Sequence, residues 1–364
     1  MENLVDFYLE YNDQHRLHDI TVYSIWHPAV RNHPARKSEV NHYIYIKVDT
    51  LWAKVKKRLY KWRHPKGYYH YTIEYFLDEV LKDLKRQSYD TIILENRPGY
   101  ALRLKDITTA KLVYHLHNDL LNSKTHRANE LYDAASRIIT VSDYIKRCVL
   151  TVNPDNTKTT VVHNGIDLTD FTTNREVRHS VGKPFTLIFM GRLIPEKGIE
   201  QLIDTMLQLQ PHPDIRLVVV GGSFYANSTP NAFEQRLRQK AEPIKERIMF
   251  TSYIAHEKLY EHLQQADAAV LPSLWEEPFG LTCVEAMSAG LPLITTRSGG
   301  IPEICEGVAT LVDKEHLANN LAAAILELYH HPEKRKTMSQ AGLQRAKLFD
   351  KETYACNFFK ALEP

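Results

Sequence analysis

Two cations and two carboxylates, each pair at a short fixed spacing, carry the chemistry that this sequence can do. Arg192 and Lys197 lie in the run Phe189-Met190-Gly191-Arg192-Leu193, continuing to Pro195-Glu196-Lys197-Gly198. A strand ends here, Gly191 permits close backbone approach, and a helix entry follows. A guanidinium can fork onto two phosphate oxygens and an ammonium can add a point charge, so the pair fits an anion carrying more than one phosphate. Glu277 and Glu285 lie in Leu271-Pro272-Ser273-Leu274-Trp275-Glu276-Glu277-Pro278-Phe279-Gly280-Leu281-Thr282-Cys283-Val284-Glu285-Ala286-Met287. The pattern predicts a strand ending at Leu271, a loop, and a helix beginning near Phe279–Gly280. The free N–H groups of such a helix start bind a diphosphate without a metal. Glu285, one to two turns in, is within reach of a ribose diol. Glu277, on the other side of the phosphates, points toward a sugar. Gly222, closing the run Val218-Val219-Val220-Gly221-Gly222, lets a base or ribose lie against the backbone. The loop Arg297-Ser298-Gly299-Gly300-Ile301-Pro302-Glu303 reads as structural.

The elements that must hold these residues alternate along the whole chain. Apolar strands are expected at Asp19–Ile25, Tyr43–Val48, Thr91–Glu95, Lys111–Leu116, Arg137–Val141 and Thr160–Val162. In the second half they are expected at Phe185–Met190, Ile215–Val220, Arg247–Phe250, Ala268–Leu271, Leu291–Thr295 and Ala309–Val312. Helical periodicity fills most gaps, as at Gly198–Leu209, Phe233–Ala241 and His256–Gln265. Alternation of this kind means α/β architecture with parallel sheets covered on both faces, and ligands beyond the carboxyl ends of the strands. The 364 residues suit two doubly wound domains, 1–168 and 169–348, with a terminal helix over 349–364 returning to the first.

Composition narrows the function classes. Hydrophobic content of 43% and charged content of 25% are globular values. A net charge of +2 argues against nucleic acid as the main partner. No apolar run is long enough to span a bilayer, and Asp6, Glu10 and Asp13 break any leader-like stretch. The cysteines (Cys148, Cys283, Cys305, Cys356) lack metal-ligand spacing, so no metal site is expected and a cytoplasmic home is. The Asn-Ser-Thr sequon at Asn227 then has no meaning.

Taken together, Gly191-Arg192-Leu193 with Glu196-Lys197-Gly198, the Glu277-x7-Glu285 pair in Pro-Phe-Gly-Leu, and Gly299-Gly300-Ile301-Pro302-Glu303 resemble the family 4 retaining glycosyltransferases. The resemblance implies a GT-B fold, two Rossmann-like domains facing a central cleft. It implies that Arg192 and Lys197 bind the diphosphate of a nucleotide diphosphate sugar, UDP preferred, and that Glu285 binds the ribose. Glu277 would contact the transferred sugar, and the backbone of Phe279, Gly280, Leu281 and Thr282 the phosphate or sugar. No cofactor and no metal are implied, and the leaving phosphate takes the acceptor's proton. The family usually carries a strand and a glycine-rich loop before the helix that here begins at Met1; this sequence departs from it there. A catalytically silent nucleotide-sugar-binding or coat-associated protein is the alternative.

The first half then receives the acceptor, a saccharide or lipid-linked saccharide. By the same resemblance His117, at the end of its strand, lies near the donor sugar with Asn118, while Asn96 and Arg97 line the acceptor side. His115, one pleat away, points to the same face and cannot be separated from it. Ser142-Asp143 reads as a helix N-cap. Finally, residues 47–66 interleave Val48, Leu51, Trp52, Val55, Leu59 and Trp62 with Lys47, Lys54, Lys56, Lys57, Arg58, Lys61, Arg63 and Lys66. Three- and four-residue spacing makes a helix with an apolar stripe and a basic face. Either the stripe faces the core, or Trp52, Lys56, Lys57, Arg58 and Trp62 contact an anionic membrane.

Overall fold

The computed structural model describes residues 2–28, 30, 38–63, 71–155, 157–171, 184–222, 231–251, 254 and 256–363. Asn227 and Lys66 lie outside the described residues, as do the side chains of Lys61 and Arg63. The chain divides into two compact units. One is Met1–Thr140 with Lys146–Val161 and Ala355–Pro364, and the other is Val141–Ile145 with Val162–Tyr354.

The first unit holds two parallel sheets. Strands β1 (Ile20–Ile25) and β2 (Asn41–Ile46) pair only with each other among the described residues. Strands β3 (Thr91–Glu95), β4 (Lys111–Leu116), β5 (Arg137–Thr140) and β6 (Thr159–Val161) follow in sequence order in a four-stranded sheet. The six strands expected of the first half are all present, but not as one sheet. β4 explains itself: its last five residues are buried, as a strand covered on both faces must be. The unit is finished by the last turns of the chain. Tyr8, on the helix Glu2–His15, stacks on Phe358 with ring centroids 4.3 Å apart, and Arg137 donates to the Ala361 carbonyl at 2.7 Å.

In the second unit lie β7 (Phe185–Met190), β8 (Ile215–Val220), β9 (Ile248–Phe250), β10 (Ala268–Leu271), β11 (Leu293–Thr296) and β12 (Thr310–Val312). All neighbours are parallel, in the order β9-β8-β7-β10-β11-β12. This is the doubly wound order, in which winding reverses between the first and fourth strands, here β7 and β10. One hydrophobic core joins the sheet to its helices. Leu187 and Phe189 of β7 pack with Leu202, Ile203 and Met206 of the helix Ile199–Gln208, and with Leu321 and Ile325 of the helix Leu317–His330.

Candidate functional site

Where winding reverses, the loops after two neighbouring strands leave in opposite directions and open a crevice. The loops after β7 and β10 are those the sequence singled out. Backbone contact fixes them to one another: the amides of Leu274 and Trp275 both donate to the Glu196 carbonyl, at 2.8 and 3.1 Å. Gly198 enters the helix Ile199–Gln208 at φ 68°, and a Cβ there would stand 1.9 Å from the Pro272 carbonyl oxygen. Only glycine permits that approach.

Lys197 Nζ meets Glu277 Oε1 at 2.5 Å, and Ser273 Oγ donates to the same oxygen at 2.8 Å. The two charged side chains are 22% and 13% exposed, so the pair is partly withdrawn from water. Glu276 turns away from it. Its carboxylate pairs with Lys314 and accepts from the Gly299 amide at 2.6 Å. Burial alone would raise its pKa, but Lys314 and that amide hold it below the ordinary carboxylate value. The Gly300 amide donates to the Glu277 carbonyl at 2.7 Å, so the loop that reads as structural clasps the Glu276–Glu277 segment.

The helix after β10 spans Leu281–Ser288, a residue or two later than expected. Its N-cap, Gly280, has φ 108° and gives no side-chain cap. As first-turn residues, Leu281 and Thr282 have amides with no intrahelical acceptor. A small cavity has Lys197, Ser273, Glu277, Gly280 and Thr282 in its lining, so the ammonium, the carboxylate and the helix start share one wall. Phe279 contributes backbone only, since its ring is buried against His163 and Phe349. Glu285 sits half-buried in the second turn. Arg192 lies in the same loop as Lys197, exposed, and has no ion-pair partner among the described residues. Gly222 accepts the Leu193 amide at 3.1 Å. The glycine beside it has a steric reason: a Cβ on Gly221 would stand 1.9 Å from the Gly191 carbonyl oxygen.

In the first unit, the ends of β3 and β4 build a second polar cluster. Glu95 pairs in register with His115, and its carboxylate is reached by His115 Nδ1 at 3.0 Å and His117 Nε2 at 3.2 Å. Tyr8 OH donates to its other oxygen at 3.0 Å. Burial would push the Glu95 pKa up, but the two histidines outweigh it and hold the carboxyl well below its usual range. An ionised carboxylate only accepts, so both rings donate, and neutral His117 carries its proton on Nε2. Burial, then His115, lowers the His117 pKa to about 4, Glu95 working the other way.

Burial also separates the two histidines, His115 being wholly enclosed and packed on Phe358, and His117 9% exposed. Asn96, at φ 53°, spends its side chain on the His117 amide at 3.1 Å. Arg97 is exposed and Asn118 half-buried. Glu95, His115 and His117 place ligand-type atoms within 4.8 Å of one another, as do Asp143, His163 and Glu303, so either trio could hold a metal ion. In the latter, Glu303 accepts the amides of Asp143 (2.7 Å) and Tyr144 (2.6 Å), with His163 Nε2 at 3.6 Å. The expected N-cap is there, Ser142 Oγ accepting from the Ile145 amide at 3.1 Å.

The sequence runs contain Glu95, Ser273 and Glu303, but sequence reasoning gave none of the three a role of its own. Glu95 was findable only from strand register, which puts it opposite His115.

Comparison with known proteins shows the family. Residues 170–345 match the family described as Glycosyl transferases group 1, and residues 14–170 match Glycosyltransferase Family 4. The glycosyltransferase-family protein YtcC of Bacillus subtilis is 33% identical over 277 residues, 71% of this chain and 68% of YtcC. Spore coat protein SA of the same organism is 25% identical over 306 residues, 79% of this chain and 74% of that one. Among solved structures, Anabaena HepE in complex with UDP-glucose superposes with a TM-score of 0.71 at 21% identity, covering 99% of this chain and 94% of that chain. The chain belongs to the family 4 glycosyltransferases of GT-B fold.

Proposed function

We propose that this protein moves a hexosyl group from a nucleotide diphosphate sugar, with UDP the preferred nucleotide, to a saccharide or lipid-linked acceptor. The observation that carries this reading is the wall shared by Lys197, Glu277 and the Leu281–Ser288 helix start, beside the strands where winding reverses. Cleaving the bond between the anomeric carbon and the diphosphate leaves charge on the phosphate, and stabilising that charge is the main task. Lys197, Arg192 and the open amides are suited to it without a metal. Glu277 and the helix-borne Glu285 are assigned to the hydroxyls of sugar and ribose, with Gly191, Gly222 and the Phe279–Thr282 backbone closing round the donor. The acceptor oxygen bonds the anomeric carbon as the phosphate leaves, and its proton passes to the leaving phosphate, with retained configuration. His117, neutral and oriented by Glu95, gives the sugar a hydrogen-bonding group rather than a proton acceptor. Asn96, Arg97 and Asn118 are assigned to the acceptor side, Asn96 through the backbone it fixes. The setting is cytoplasmic, at the inner face of a membrane, in cell-surface polysaccharide or glycoconjugate assembly.

The UDP-glucose bound by HepE supports the choice of donor. Spore coat protein SA favours a second reading, a coat-associated protein that binds a nucleotide sugar without turning it over. Calorimetry with UDP, with and without EDTA, and release of UDP from a panel of UDP-sugars separate the two. Binding indifferent to EDTA with UDP release supports the transferase; binding without release supports the silent protein. No binding removes both.

A further inference from the structure

The helix Leu51–Arg63 does not use its apolar stripe to pack. Among its described side chains only Ala53 is buried, against Tyr75 of the helix Tyr71–Leu84. Leu51, Trp52, Val55, Leu59 and Trp62 are 82%, 72%, 47%, 54% and 79% exposed. At about 100° per residue these five fall within an arc of about 100° pointing away from Ala53. Lys54 and Arg58 flank the arc on one side and Lys56 on the other, and the helix contains no acidic residue. Trp52 and Trp62 stand about 15 Å apart along the axis, one near each end.

We infer that this face docks the protein on an anionic lipid surface, its five apolar side chains entering the interface and Lys54 and Arg58 meeting lipid phosphates. Exposed apolar side chains in one contiguous stripe mark an interaction site rather than ordinary surface. Charge selects the occupant. A second copy related by a two-fold axis would set two wholly basic helices against each other, which repels. An anionic bilayer accepts both halves of the pattern. Tryptophan rings favour the headgroup region, lysine and arginine stems extend along it, and each cation near the surface contributes roughly 1 kcal/mol. The inference extends the reading of a membrane-borne acceptor but stands on this helix alone.

The test is flotation of the full chain with phosphatidylcholine vesicles, with and without phosphatidylglycerol, alongside UDP calorimetry. Flotation is expected only with phosphatidylglycerol, and to fall with added salt. Trp52→Ala with Trp62→Ala, and separately Lys54→Glu with Arg58→Glu, should each cut the floated fraction at least tenfold, with UDP affinity unchanged. These side chains are exposed, so the variants should keep the parent circular dichroism and melting temperature. Equal flotation on neutral vesicles, flotation that survives either double variant, or no flotation overturns the inference. So does a dimer that the tryptophan substitutions dissociate. Because the donor site is assayed in the same samples, a protein that binds UDP yet ignores lipid sinks this inference and spares the transferase reading.

Discussion

On the proposed donor reading, Lys197 has two jobs that pull in opposite directions. Before donor arrives it neutralises Glu277, and with a diphosphate present it must share its three N–H donors with phosphate oxygens. Lys197→Ala should therefore weaken UDP binding about 10- to 100-fold, the scale of a lost charge-assisted hydrogen bond. It should also destabilise the fold, because Glu277 then keeps a mostly buried charge with Ser273 its one remaining side-chain partner among the described residues. Calorimetry and thermal melting read the two effects separately, and unchanged UDP affinity would remove Lys197 from the donor site. Glu277→Ala should do the converse, abolishing transfer while UDP affinity stays within about threefold; parallel loss of both would refute its assignment to the sugar. His117 makes a pH prediction. Its folded pKa of about 4 lies below the unfolded value of about 6.5. Between those values the unfolded chain holds a proton that the folded chain lacks, so stability is full above about pH 6.5 and falls as pH drops toward 4, by about 3 kcal/mol in all. Urea midpoints across that window should fall with pH for the parent and less steeply for His117→Asn; identical slopes would discard the assignment.

At the scale of elements, the donor loops are held by backbone contacts that tolerate no side chain. Gly198→Ala would put a methyl group against the Pro272 carbonyl at a backbone angle that L residues resist, and should cost roughly 2 kcal/mol or more. Gly99→Ala, with open space around it, should stay within about 0.5 kcal/mol and serves as the control in denaturant titrations. Much at this scale was legible beforehand. β3, β4, β7, β8 and β10 begin and end where apolar runs meet polar or glycine-bearing punctuation, so composition alone bounded them. Other features were not legible, for physical reasons. The separation of β1 and β2 from the larger sheet depends on which strand edges meet, and neither strand's pattern specifies its partner. The stripe on Leu51–Arg63 was visible from periodicity, but periodicity says that a face is apolar, not what lies against it. Glu95 looked like an ordinary strand residue because its neighbours His115 and His117 come from β4 and the residue just after it.

For the whole molecule, the proposed roles fall unevenly on the two units. Lys197, Glu277 and the helix start belong to the second unit, while His117 and the lipid-facing helix belong to the first. Damage confined to the first unit should then spare nucleotide binding. Phe358→Ala removes the ring that stacks on Tyr8 and packs on His115, at a cost of about 3–5 kcal/mol. Amide exchange should quicken across the Glu2–His15 helix and β3–β4 while UDP affinity persists; uniform quickening through β7–β12 would show that the units do not unfold apart.

The residues Ala355–Pro364 that complete the first unit are made after every strand of the second. A nascent chain on the ribosome can assemble β7 to β12 as they emerge. The helix Glu2–His15 emerges before the twelve strands and Phe358 after them, so it must wait through their synthesis for the ring it stacks on. Its tyrosine-bearing face stays uncovered throughout, a long opening for a chaperone to hold it or for a neighbouring nascent chain to claim it.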